Sequence, residues 1–169
     1  FSISLGKPGK LFRIIVLCAK YYQGVSMKIL ESSEDLKYYT DMNIIMKPFK
    51  NDFIKYNWLI TDYECNYYPK GIIEPQADYI WVNGERLYEI QFIWSVFSGF
   101  IQNILFEKVM EYELPESEYY AHWKNKNDTQ NPLADIEIVS WDSSCLLFKS
   151  KNEDYINKFK EIFPLSKEI

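Results

Sequence analysis

A single histidine, His122, and three cysteines, Cys18, Cys65 and Cys145, are the residues of this chain with the most obvious chemical potential. A cysteine nucleophile needs a thiolate, a base and an orienting acid brought together in space. Cys145, His122 and Asp142 supply those types, but each has a plainer role. Cys145 sits at an alternating strand position and His122 lies beside Trp123 in a polar stretch. Asp142 is what a tight turn favours, because its carboxylate can bond its own backbone. Cys18, Cys65, His122 and Cys145 could also make a four-ligand zinc set, yet structural zinc draws on closely spaced pairs of ligands that this chain lacks. One histidine rules out centres that need two imidazoles and limits acid-base chemistry near neutral pH.

Carboxylate pairs can hydrolyse glycosides, and Glu111, Glu113, Glu116, Glu118 and Glu137 are available. They read mostly as solvated surface charge. No glycine-rich phosphate loop, nucleophile elbow or zinc-protease helix motif occurs. No catalytic residue, metal or cofactor is therefore assigned, and the balance goes against an enzyme.

The stretch from Pro115 to Pro132 is long and polar, and loops of this length inside a compact domain are often functional. Glu116 and Glu118 head it, followed by Tyr119, Tyr120 and Trp123. Rings beside acids suit a protein-binding surface, since they supply contact area at little entropy cost. These five residues are the candidate partner contacts; the alternative is a loop whose rings fold back onto the core. Trp58, Trp81, Trp94 and Trp141 fall in or beside expected strands and read as core, with a ligand-lined aromatic cavity as the other option.

The elements that must position these residues belong to one domain, since 169 residues suit a single hydrophobic core. Hydrophobic residues make up 47% and aromatics 18%, which argues against disorder. The net charge of −5 is uneven: four of 19 basic side chains, Lys7, Lys10, Arg13 and Lys20, precede Met27 and none of the 24 acids does, so the remainder is nine units negative. Such a surface attracts basic partners and repels phosphate backbones and anionic lipid, so neither nucleic acid nor membrane is expected as a partner. Three unpaired-looking cysteines point to a reducing, cytoplasmic setting. Residues 1–26 are expected to be either a basic leader outside the native fold or an N-terminal strand, Phe12 to Leu17; residues 27–169 form the single domain.

The expected fold class is α+β, a mostly antiparallel sheet. Ser32 to Asp35 resembles a helix start leading into Leu36 to Tyr39. Asn57 to Tyr63 reads as a central strand and Asp78 to Val82 as another. Asn83 is expected to cap a helix in which Leu87, Ile90, Gln91 and Trp94 keep helical spacing. Phe92 to Phe100 is the best central strand, and Ile104 to Met110 a short helix. Asp135 to Trp141 and Ser144 to Ser150 form a hairpin around Asp142-Ser143. Ser150 to Glu153 matches a capping box, opening a helix whose apolar stripe is Tyr155, Ile156, Phe159, Ile162 and Phe163 and which Pro164 stops.

The stretches Pro132-Leu133-Ala134-Asp135-Ile136-Glu137-Ile138-Val139, Trp141-Asp142-Ser143-Ser144 and Phe163-Pro164-Leu165-Ser166 resemble small bacterial proteins of unassigned role, some of which are similar to the immunity proteins that sit beside polymorphic toxins. The likeness covers about a quarter of the chain and carries no functional residue. It implies a cytosolic single-domain protein that neutralises a toxin domain by tight binding, and the acidic composition makes a basic toxin surface the expected partner.

Overall fold

The computed structural model describes residues 26–30, 36, 38–67, 71, 77–118, 128–141 and 145–168. Among the described residues seven strands, β1 (Ser26–Leu30), β2 (Tyr56–Tyr67), β3 (Tyr79–Asn83), β4 (Gln91–Ile101), β5 (Ile136–Trp141), β6 (Cys145–Ser150) and β7 (Lys167–Glu168), build one sheet. Their spatial order is β3-β2-β4-β5-β6-β1-β7, and every neighbouring pair is antiparallel. The helices among the described residues are α1 (Met42–Ile45), α2 (Lys50–Phe53), α3 (Phe106–Val109) and α4 (Glu153–Ile162). The fold is thus α+β, with a C-terminal hairpin followed by an amphipathic helix packed on the sheet.

β2 and β4 are central because both of their faces are apolar, as aromatic and β-branched residues on a pleated surface require. One face carries Trp58, Ile60, Phe97, Ile138 and Phe148 and is covered by α4 and the segment from Met42 to Phe53. Phe148 stacks on Phe159 of α4 with ring centroids 4.6 Å apart, and Phe49 stacks on Phe53 at 4.7 Å. The opposite face carries Leu59, Trp81 and Phe100 and is covered by Val109, Leu114, Leu133 and Ala134. Gly99, opposite Trp58 across the strands, leaves space for that indole, which would lie 3.0 Å from an added Cβ.

The start of α4 differs from the expected capping box. Ser150 is still paired in β6, opposite Ile136, so its hydroxyl cannot reach the helix amides; it accepts the Asn152 N–H at 3.0 Å instead. Asn152 is the cap, its Oδ1 accepting the Asp154 N–H at 2.9 Å. Asn152→Ala should therefore lower stability by about 1 kcal/mol, read from denaturant midpoints. A silent substitution would place the helix start elsewhere. Along α4, Ile156, Phe159 and Phe163 are buried as expected, whereas Ile162 lies at the exposed rim.

Other expectations are corrected similarly. Asn83 does cap a turn, since its Oδ1 accepts the Arg86 N–H at 3.1 Å. The turn is only the short 3₁₀ stretch Arg86–Glu89, and Gln91 and Trp94 belong to β4, where pairing on both sides outweighs helical spacing. The described residues of the expected helix from Leu36 to Tyr39 are not helical; the helix nearby is α1, capped by Asp41. The proposed start at Ser32 to Asp35, the strand Phe12 to Leu17 and the turn at Asp142-Ser143 lie outside the described residues.

Candidate functional site

β2 pairs regularly with β4 as far as Thr61 and then loses register. At the break Asp62 adopts φ 42°, the one positive φ among described residues other than glycine. A bulge bends a strand and re-aims a side chain, and aspartate tolerates this conformation better than most residues. Asp62 is exposed, and its Oδ2 accepts the Ser117 N–H at 2.8 Å and also the Ser117 hydroxyl. Thr61, buried, donates its hydroxyl to the Pro115 carbonyl at 2.6 Å. The bulge therefore holds the segment Leu114 to Glu118 against the sheet.

The other side of that segment is held by Gln130. Its Oε1 accepts the Glu116 N–H at 2.8 Å and its Nε2 donates to the Glu116 carbonyl at 2.9 Å, a two-point clamp on one peptide unit. Its own N–H donates to Glu137 Oε2 at 2.9 Å. Asn131 adds a bond from Nδ2 to the Val109 carbonyl at 3.0 Å.

Glu137 is fully buried, which corrects its reading as solvated charge. It stands directly opposite Lys149 in the hairpin, also fully buried, and opposite Ser98 of β4. Burial pushes the Glu137 carboxyl up to about 7, against the opposing pull of Lys149 and the Gln130 amide. Burial likewise lowers Lys149, while Glu137 and Asp128 raise it. Lys149 Nζ donates to the Asp128 carbonyl at 3.1 Å. The pair thus fastens both Asp128 and Gln130 to the sheet.

Between the bulge and the clamped segment lies a cleft of about 700 Å³, within the span of small-ligand sites. Asp62, Asp78, Glu116 and Glu118 supply its carboxylates, and Trp94 and Trp141 its rings. The two indoles come from adjacent strands, one position beyond the Ser95 and Ser140 pair. No lysine or arginine is among the described lining residues, and none of the four carboxylates forms an ion pair among the described residues.

Of the five candidate contacts, Glu116 and Glu118 are exposed and line this cleft. Tyr119, Tyr120 and Trp123, together with His122, lie outside the described residues. Trp58 is core and Trp81 is half-buried against Phe100 and Phe106, as expected. Trp94 and Trp141 are half-buried and line the cleft, which corrects their assignment to the core. Asp62, Asp78 and the Glu137 and Lys149 pair escaped the sequence reading. The last carried a signal: pairing Trp141 with Cys145 around a short turn sets residues 137 and 149 face to face.

Chemistry of other kinds finds little here. Burial, with Glu64 beside it, pushes the Cys65 thiol up to about 12, which suppresses the thiolate a nucleophile needs. Among the described residues no three His, Cys, Asp or Glu side chains converge as metal ligands would, and no helix is long and apolar enough to cross a membrane. No protein-family model, curated protein or solved structure matches the chain.

Proposed function

We propose that this is a cytoplasmic, single-domain binding protein of the immunity type, which occludes the basic surface of a bacterial toxin, a nuclease being the kind of toxin that presents one. The observation that carries the reading is the cleft whose described lining holds four carboxylates, two indoles and no basic residue, on a chain of net charge −5. Uncompensated acids accelerate encounter with a basic protein, and rings slow its release. Glu116 and Glu118 at the cleft, continuing into Tyr119, Tyr120 and Trp123, are the proposed contacts. The same charge disfavours nucleic acid and anionic membrane as partners.

A second reading, a regulatory domain that takes a small molecule between Trp94 and Trp141, draws on the same cleft and its size. Pull-down from native lysate at low salt separates the two. The immunity reading expects a basic protein that is retained by the wild type and lost with Glu116→Lys/Glu118→Lys. Recovery of a small hydrophobic ligand with no protein partner would overturn it in favour of the pocket.

A further inference from the structure

The cleft carries more information than its charge. We infer that it is a receptor for a guanidinium group, taking one arginine side chain between the Asp62 bulge, the Leu114 to Glu118 segment and the Trp94 and Trp141 indoles. The inference rests on the immunity reading and narrows it to one residue type of the partner.

Size comes first. At about 700 Å³ the cleft admits a long side chain together with its flanking backbone, as ligand sites of roughly 300 to 1,000 Å³ do. Its described walls are also incomplete in charge. The carboxylates come from three separate places in the chain, Asp62 in β2, Asp78 ahead of β3, and Glu116 with Glu118, and no described lysine or arginine neutralises them. Asp62 Oδ2 is engaged by Ser117, whereas Oδ1 has no bond among the described residues.

The arrangement also selects among cations. A divalent metal needs several oxygen ligands converging at about 2.0 to 2.6 Å, and no such group of side chains exists among the described residues. Carboxylates distributed around indoles suit a broad organic cation. Cations are attracted to the faces of tryptophan, and guanidinium adds planar stacking and a fork of donors that fits carboxylates, which an ammonium lacks. The wall that presents Glu116 is fixed beforehand: Thr61 and Asp62 hold it on one side and Gln130 on the other. A preformed site loses less on binding than one that must be ordered.

The test titrates N-acetyl-arginine amide into the full chain while the indole N–H signals of Trp94 and Trp141 are followed by NMR. Saturable shifts at both indoles are expected, with no response to the neutral isostere N-acetyl-citrulline amide and a weaker one to N-acetyl-lysine amide. Asp78→Asn/Glu116→Gln changes exposed side chains and so should leave the fold intact, and it should weaken the arginine probe by about tenfold or more, a difference of about 1.4 kcal/mol. A peptide with an internal arginine should bind more tightly than the capped amino acid, which marks a protein rather than a free metabolite as the source of the group. Absent saturation, equal response to citrulline, or indifference to the double substitution would each overturn the inference. The two readings fail separately. A basic protein that binds Asp78→Asn/Glu116→Gln as well as wild type removes the arginine site and leaves the immunity reading; an arginine-selective cleft with no protein partner does the reverse.

Discussion

Lys149→Met should lower stability by about 1.4 kcal/mol for each pH unit above about 7, reaching roughly 3 kcal/mol near pH 9, because without its cation the buried Glu137 must keep a proton that the wild type releases, and the loss should shrink as the pH falls. The groups that face Glu137 fix the sign. Lys149 and Ser98 lie opposite it on the flanking strands, and the Gln130 amide bonds it from the covering segment, with Asp128 close to Lys149. In the native protein Glu137 keeps its proton up to about 7, whereas its ordinary value is 4.5. The stability it contributes is full below about 4.5 and is lost as the pH rises through about 7. Without Lys149 one of the two influences holding the carboxyl down is gone, so the window widens upward. Replacing both residues with methionine should recover most of the loss and flatten this pH dependence, since a well-packed apolar pair is often neutral or better. Denaturant midpoints across a pH series measure all three proteins. A loss from Lys149→Met that is the same at every pH would mean that the tether to Asp128, rather than buried charge, holds this region.

Gly84→Ala should be as damaging, with a loss at or above the upper end of the roughly 1 to 3 kcal/mol typical of overpacking. Gly84 follows β3, and its N–H donates to the Tyr56 carbonyl at 3.0 Å. A Cβ there would overlap the Phe53 carbonyl oxygen and lie 2.7 Å from Ile54 Cα. Both are backbone atoms, so no side chain can swing aside and the end of α2 must move. That carbonyl also accepts the Trp58 Nε1–H at 3.2 Å, and the Phe53 ring stacks on Phe49, so the shift would spread into the core. Gly99→Ala is the comparator, because its nearest neighbour is the Trp58 ring. Thermal melts of the two variants would show the difference. A Gly84→Ala protein within a few tenths of wild-type stability would mean that β3 and α2 do not approach this closely.

These two sites mark the limit of what the sequence makes legible. The hairpin, the stripe of α4 and the centrality of β2 and β4 follow from apolar periodicity, which reports burial directly. Asn83-Gly84 identifies a turn, yet the need for glycine comes from α2, which is distant from that turn's own residue pattern and visible only once the chain is folded. Leu87, Ile90, Gln91 and Trp94 keep helical spacing, but spacing is a local preference and the ladders on both sides of β4 prevail. Ser150 and Asn152 are both competent caps, and only the extent of β6 decides between them. In the cleft, Glu116 and Glu118 were legible as acids beside rings. Asp62 was not, because a bulge leaves no mark on a strand that otherwise alternates. Trp94 and Trp141 read as core because a half-buried ring and a buried one look alike in sequence.

The central claim is that acids steer and rings retain a basic protein partner, and the association rate with the protein captured at low salt tests it most directly. Long-range steering is screened beyond about 8 to 10 Å at physiological ionic strength, so the on-rate should fall steeply as salt rises. Glu116→Lys/Glu118→Lys should lower that rate while leaving the off-rate nearly unchanged, and Trp123→Ala should chiefly raise the off-rate. An association rate indifferent both to salt and to the charge reversals would contradict the account.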